Sequence, residues 1–84
     1  MNKLNKKEKI KFLQTYYNSR YYLKFSIRDS IKLALNFPKT MEIPDEKMDE
    51  CESLIKLNQD VFIQFENKYP DKGFIKDSFL KLKT

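Results

Sequence analysis

Breakers are scarce in this chain of 84 residues: one glycine, Gly73, and three prolines, Pro38, Pro44 and Pro70, leave three long uninterrupted stretches. Sheets need frequent turns and show period-two alternation, whereas the apolar residues here recur at threes and fours. The pattern predicts an all-α fold, a small single-domain bundle of about four helices over residues 1–84. A domain of this size buries only about 60–65% of the surface its unfolded chain exposes, so modest stability is expected. The apolar fraction of 40% and aromatic fraction of 14% exceed what a disordered chain carries, and seven Phe can fill a small core.

Local signals place the helices. Asn5 with Glu8 three residues later forms a capping-box pair, which starts a basic first helix at about Lys6 and runs it to Tyr17, or on to Leu23 at its longest. Ile10, Leu13 and Tyr17 mark its inner face. Ser26 and Asp29 repeat the capping spacing, and Ile27, Ile31, Ala34 and Leu35 then make the apolar stripe of a second helix ending near Asn36. Pro38 restricts Phe37 to extended geometry, and Phe37 and Ile43 are expected to tuck inward from the connection.

Pro44 opens the strongest helical signal. Asp45 and Glu46 follow, acids where the positive end of the helix dipole favours them, and Lys68 falls in the last turn. One long central helix over about 45–68 is the expectation. Met48, Cys51, Ile55, Asn58, Phe62, Phe65 and Tyr69 keep a four-and-three spacing, with Leu54, Leu57 and Val61 widening the stripe. At 1.5 Å per residue such a helix is about 36 Å long, beyond the roughly 30 Å of a compact globule of this size, so it bends or its end projects. Pro70, Asp71 and Gly73 turn the chain into a short final helix carrying Phe74, Ile75, Phe79 and Leu82.

Asn58 is an amide in an apolar heptad position, a device that can fix register or oligomeric state. The plainer reading sets it at the seam's edge near solvent. The other makes Asn58, Phe62 and Phe65 the seam of a homodimer.

Charge is segregated along the chain. Residues 1–28 hold eight Lys or Arg against one acid, and residues 29–70 hold five bases against nine acids. Four of the five tyrosines, Tyr16, Tyr17, Tyr21 and Tyr22, surround Arg20 inside the basic part. Tyr17 and Tyr21 share a face with Leu13 and are expected to pack, leaving Tyr16 or Tyr22 exposed. Tyrosine and arginine are enriched at interface hot spots, and a basic surface speeds encounter with an acidic one. The favoured reading is a non-catalytic protein interaction module, a small regulator, inhibitor, adaptor or immunity-type protein. It docks on an acidic protein partner through Tyr16, Arg20, Tyr22, Lys24 and Arg28. The alternative is a nucleic-acid binder with Lys6, Lys9, Arg20, Lys24 and Arg28 on phosphates and Tyr16, Tyr21 or Tyr22 stacked on bases. The tyrosines as an outer layer of the core, and the lysines as a solvated face, are the plain counter-readings.

Absences bound the chemistry. Without histidine there is no Ser-His or Cys-His pair, no imidazole base and no histidine metal site. A lone glycine cannot build a phosphate-cradling loop. No catalytic residue, metal or cofactor is expected, and Glu42, Asp45, Glu46, Asp49, Glu50 and Glu52 read as acids favoured at a helix start. Cys51 lies on the apolar seam between Glu50 and Glu52, which raise a thiol's pKa, so it reads as a buried structural residue. A single cysteine precludes an internal disulfide and points to a reducing cytoplasm. No run of 18 apolar residues is present, so no integral membrane span is expected.

Overall fold

The computed structural model describes residues 3–68 and 82–84. Among them are four α-helices and no strand: α1 (Lys6–Tyr17), α2 (Ile27–Ala34), α3 (Asp45–Leu57) and α4 (Gln59–Lys68). The all-α expectation holds, but the count is reached differently, because the single helix expected over 45–68 is divided at Asn58 and contributes two of the four. The final helix expected around Phe74, Ile75 and Phe79 lies outside the described residues.

Both predicted caps form. The Asn5 side-chain oxygen accepts the Glu8 N–H at 2.8 Å, and a Glu8 carboxylate oxygen accepts the Asn5 N–H at 2.9 Å, so two donors that the first turn of α1 would leave unpaired are satisfied. Ser26 accepts the Asp29 N–H at 3.1 Å and opens α2. That helix closes through Asn36, which takes a left-handed φ of 61°. The Phe37 N–H reaches the Lys32 carbonyl at 2.8 Å and the Asn36 N–H reaches that of Leu33 at 3.1 Å, the paired bonds of a Schellman end. This turn points the chain so that Phe37 packs against the core and Ile43 is buried, as their sequence context predicts.

The core is assembled around α1, which packs against α2 and α3. Two rows on α1 face inward, Phe12 with Tyr16 and Leu13 with Tyr17, each four residues apart and therefore one turn above the other. Ile31 of α2, Cys51, Leu54 and Ile55 of α3, and Phe62 of α4 complete the cluster. Phe62 is its hub, with ring centroids 6.3, 5.2 and 6.3 Å from Tyr16, Tyr17 and Tyr21. Offset aromatic pairs at these distances contribute about 0.5–1.5 kcal/mol each beyond the area they bury. Ile27 departs from the expected stripe: it sits in the first turn of α2, one turn beyond the packed Ile31, and is 52% exposed.

The division at Asn58 answers the alternative of bending or projecting, since α3 and α4 are separate helices. Asn58 adopts φ −107°, ψ 10°, and its N–H reaches back three residues to Ile55 at 3.1 Å. Its side chain, 0% exposed, is neither at a solvent edge nor on a free seam. The amide nitrogen donates to the Leu54 carbonyl at 2.9 Å and to the Lys83 carbonyl at 2.8 Å, while the oxygen accepts the Lys83 N–H at 2.6 Å. Phe62 is likewise buried inside the monomer. Two of the three residues expected to form a dimer seam are therefore used within one chain. The third, Phe65, lies on α4 with its side chain outside the described set.

The other end of the chain is fastened to α3 by a carboxylate. Glu50 accepts the Leu4 N–H at 2.8 Å with one oxygen and the Lys47 ammonium at 2.8 Å with the other. Burial alone would raise the Glu50 carboxyl, but the Lys47 and Leu4 bonds outweigh it and hold the group below the usual carboxylate range. No helix among the described residues is long and apolar enough to cross a membrane.

Candidate functional site

The tyrosine and arginine run begins where α1 loses its regular ladder. Ser19, buried, donates its hydroxyl to the Thr15 carbonyl at 2.8 Å, a back-bond four residues away that competes with helical pairing. The backbone then widens into one π turn over Asn18–Tyr22, with the Leu23 N–H on the Asn18 carbonyl at 3.0 Å and the Phe25 N–H on that of Ser19 at 2.9 Å. Closing this widened turn forces Lys24 to φ 63°. A residue with a Cβ pays roughly 1–2 kcal/mol there. Single π turns of this kind are frequent at functional sites.

The turn sorts the predicted residues into two groups. Tyr16, expected to be available, is 3% exposed and stacks at 6.2 Å on Phe12. The reason is that α1 has neighbours on two sides, so its Phe12–Tyr16 row is covered as fully as its Leu13–Tyr17 row. Burial, followed by the proximity of Tyr21, pushes the Tyr16 hydroxyl up, and a hydrogen bond from Arg20 opposes this. Tyr17 is pushed up to about 12, again first by burial, then by Glu66 and Tyr21. Tyr21 is half-buried with its ring 4.8 Å from Tyr17, and its pKa is raised by burial and then by Glu66.

Arg20 is also spent internally. Besides Tyr16, it donates to the Phe25 carbonyl at 3.4 Å and lies 5.8 Å from the centroid of the Tyr21 ring. It ties the π turn to the loop that follows, with its side chain half-buried. The exposed members of the predicted set are Tyr22, Lys24 and Arg28, and the turn places Leu23 and Ile27 beside them. Tyr22 and Leu23 are 50% and 44% exposed, and both flank the strained Lys24.

Basic charge is concentrated at this corner between α1 and α2. Residues 18–40 hold five bases, Arg20, Lys24, Arg28, Lys32 and Lys39, against one acid, Asp29. Lys39 joins from the next connection, with its ammonium 6.0 Å from the Phe25 ring centroid, and Lys32 fixes that connection by donating to the Lys39 carbonyl at 2.8 Å. Leu23, Ile27 and Lys39 were not singled out from sequence as site residues. The signal available for Ile27 was its place as the first apolar residue of a stripe only two turns long, where an end residue overhangs its support.

Lys6 and Lys9 stand apart from this corner. They occupy the first turns of α1, about 20–24 Å along the helix axis from Tyr22 at 1.5 Å per residue. Lys9 lies close enough to Glu50 to help hold its carboxylate ionised. The full nucleic-acid set is therefore not brought together. Cys51 is completely buried, and burial, then Glu50, pushes its thiol up to about 12, which leaves it protonated and unsuited to act as a nucleophile.

Among the described residues, fold and site define a small all-α domain with a strained, basic and partly apolar corner. Comparison with protein-family models, with curated proteins and with solved structures returned no match.

Proposed function

We propose that the chain is a non-catalytic interaction module that docks on an acidic protein surface through the α1–α2 corner. Tyr22, Leu23 and Ile27 supply apolar contact, Lys24, Arg28 and Lys39 supply the charge, and Arg20 holds the turn in shape. The observation that carries this reading is the coincidence of three half-exposed large apolar side chains with a left-handed Lys24 in a segment of one-sided charge. Bulky apolar groups ringed by basic ones are the composition of an interface centre with a steering rim. The role is that of a stoichiometric regulator, inhibitor, adaptor or immunity-type protein. A reducing, cytoplasmic setting fits its single buried thiol.

Nucleic acid is the weaker reading because Tyr16 and Tyr21, two of its three stacking rings, are engaged in ring packing. One experiment separates the two. Affinity capture from native extract is run with the wild type and with a Tyr22→Ala, Leu23→Ala, Arg28→Ala variant whose helicity is checked by circular dichroism. Specific protein capture should drop at least about tenfold in the variant, the loss of roughly 1.4 kcal/mol that interface anchors commonly exceed. Capture unaffected by the substitutions removes the corner from the interface. Binding of short single-stranded DNA with a steep dependence on salt would transfer the corner to nucleic acid.

A further inference from the structure

The bonds that Asn58 makes have a chemistry of their own, independent of the corner. Its carboxamide donates to the carbonyl and accepts from the N–H of one residue, Lys83, at 2.8 and 2.6 Å. Those are the two bonds that a neighbouring antiparallel strand makes to a single residue of an extended chain. A third bond, to the Leu54 carbonyl at 2.9 Å, fixes which way the amide faces. Leu82 packs against the core immediately before the clamped residue, and the Lys83 ammonium sits 2.9 Å from a carboxylate oxygen of Asp60 immediately outside it. Backbone clamp, apolar seat and acidic partner are the three parts by which a protein surface reads an extended peptide.

We propose that the α3–α4 junction is a receptor site for an extended peptide of apolar–basic pattern, and that residues 82–84 are its ligand, bound in cis. Asn58 reads the backbone and the seat of Leu82 selects an apolar residue, while the exposed Asp60 adds only a weak preference for a basic one. The interaction is carried by these local contacts, so the same segment offered on a separate molecule occupies the vacated site.

The probe is a synthetic peptide with the sequence of residues 79–84, capped at both ends and titrated into isotopically labelled chain lacking residues 82–84. The expected result is a saturable shift of the Asn58 side-chain amide signals, with a Kd of order 1 mM or tighter, and a rise in melting temperature. Both effects should vanish when Asn58→Leu is added to the shortened chain, and when the peptide is N-methylated at the position of Lys83 so that no N–H remains. A folded, shortened chain that ignores the peptide overturns the proposal. Should the shortened chain fail to fold, amide exchange in the full chain decides instead. A cis-bound ligand releases by local opening, so the Lys83 N–H should exchange about a hundredfold faster or more than those of Leu13 and Ile31. Exchange of Lys83 at the rate of those core amides overturns the receptor reading.

Discussion

Among the described residues, two interruptions of the helical path are opposites. At Asn58 the ladder is broken by a fully buried amide whose three hydrogen bonds are all made inside the molecule. At Asn18–Tyr22 the ladder is widened by a buried serine, and the strain is passed outward to Lys24 with Tyr22 and Leu23 beside it. The first interruption is complete as it stands and organises the core. The second leaves Tyr22 and Leu23 half-exposed beside a disfavoured backbone angle.

Stability should therefore depend steeply on the junction and hardly at all on the corner. Phe62→Ala, four residues past Asn58, removes the ring that Tyr16, Tyr17 and Tyr21 share and is expected to cost about 3–5 kcal/mol in urea unfolding. Tyr22→Ala in the same measurement should cost less than about 1 kcal/mol. Equal losses would erase the contrast between the two regions. Next in size is Asn58→Ala, which removes the buried bond to the Leu54 carbonyl and releases Lys83 to solvent, and should cost about 1–3 kcal/mol. The exposed Lys83–Asp60 ion pair, tested by Asp60→Asn, should leave the midpoint unmoved at physiological salt.

The tyrosines sharpen the same comparison through alkaline pH. Tyr16, Tyr17 and Tyr21 have their pKa values raised by burial, and a raised folded pKa gives stability that is whole below the ordinary value of 10.0. That stability declines as pH rises through the folded values, to about 12 for Tyr17, because the unfolded chain then holds fewer protons than the folded one. Each unit of elevation corresponds to about 1.4 kcal/mol. Unfolding midpoints should accordingly fall between pH 10 and 12, while absorbance at the phenolate band rises late and together with unfolding. A phenolate signal that develops fully near pH 10 without loss of structure would place those rings at the surface and return them to the corner.

Which of these features the sequence carries depends on the range of the interaction behind each. The caps at Asn5 with Glu8 and Ser26 with Asp29 are legible because both partners lie within one turn. The helical spacing around Cys51 and Ile55 is legible for the same reason, since it only asks which side of one helix is apolar. Asn58 is not, because its partner is 25 residues away and the heptad reading has no way to supply it. Tyr16 is misread by the same route: local spacing assigns α1 one inner face, whereas Phe62, arriving from a distant helix, packs on both the Tyr16 and the Tyr17 row. The corner is legible in charge and in tyrosine density, but which of its side chains reach solvent is decided by the π turn, whose cause is a single serine hydroxyl turned onto Thr15.

A small gain in stability tests the meaning of the strain. Lys24 occupies the left-handed region where glycine is at ease, so Lys24→Gly relieves the angle while adding some unfolded-chain entropy. The balance should be a gain of about 0.5–1 kcal/mol in thermal or urea unfolding. A chain selected for stability alone would have no reason to keep lysine there. If the corner is a docking surface, the same substitution that stabilises the fold must weaken partner capture by removing a charge from the rim. Stabilisation with capture intact would leave the strained lysine without a function and detach Lys24 from the interface, whereas the two effects moving in opposite directions would identify the strain as something retained for binding.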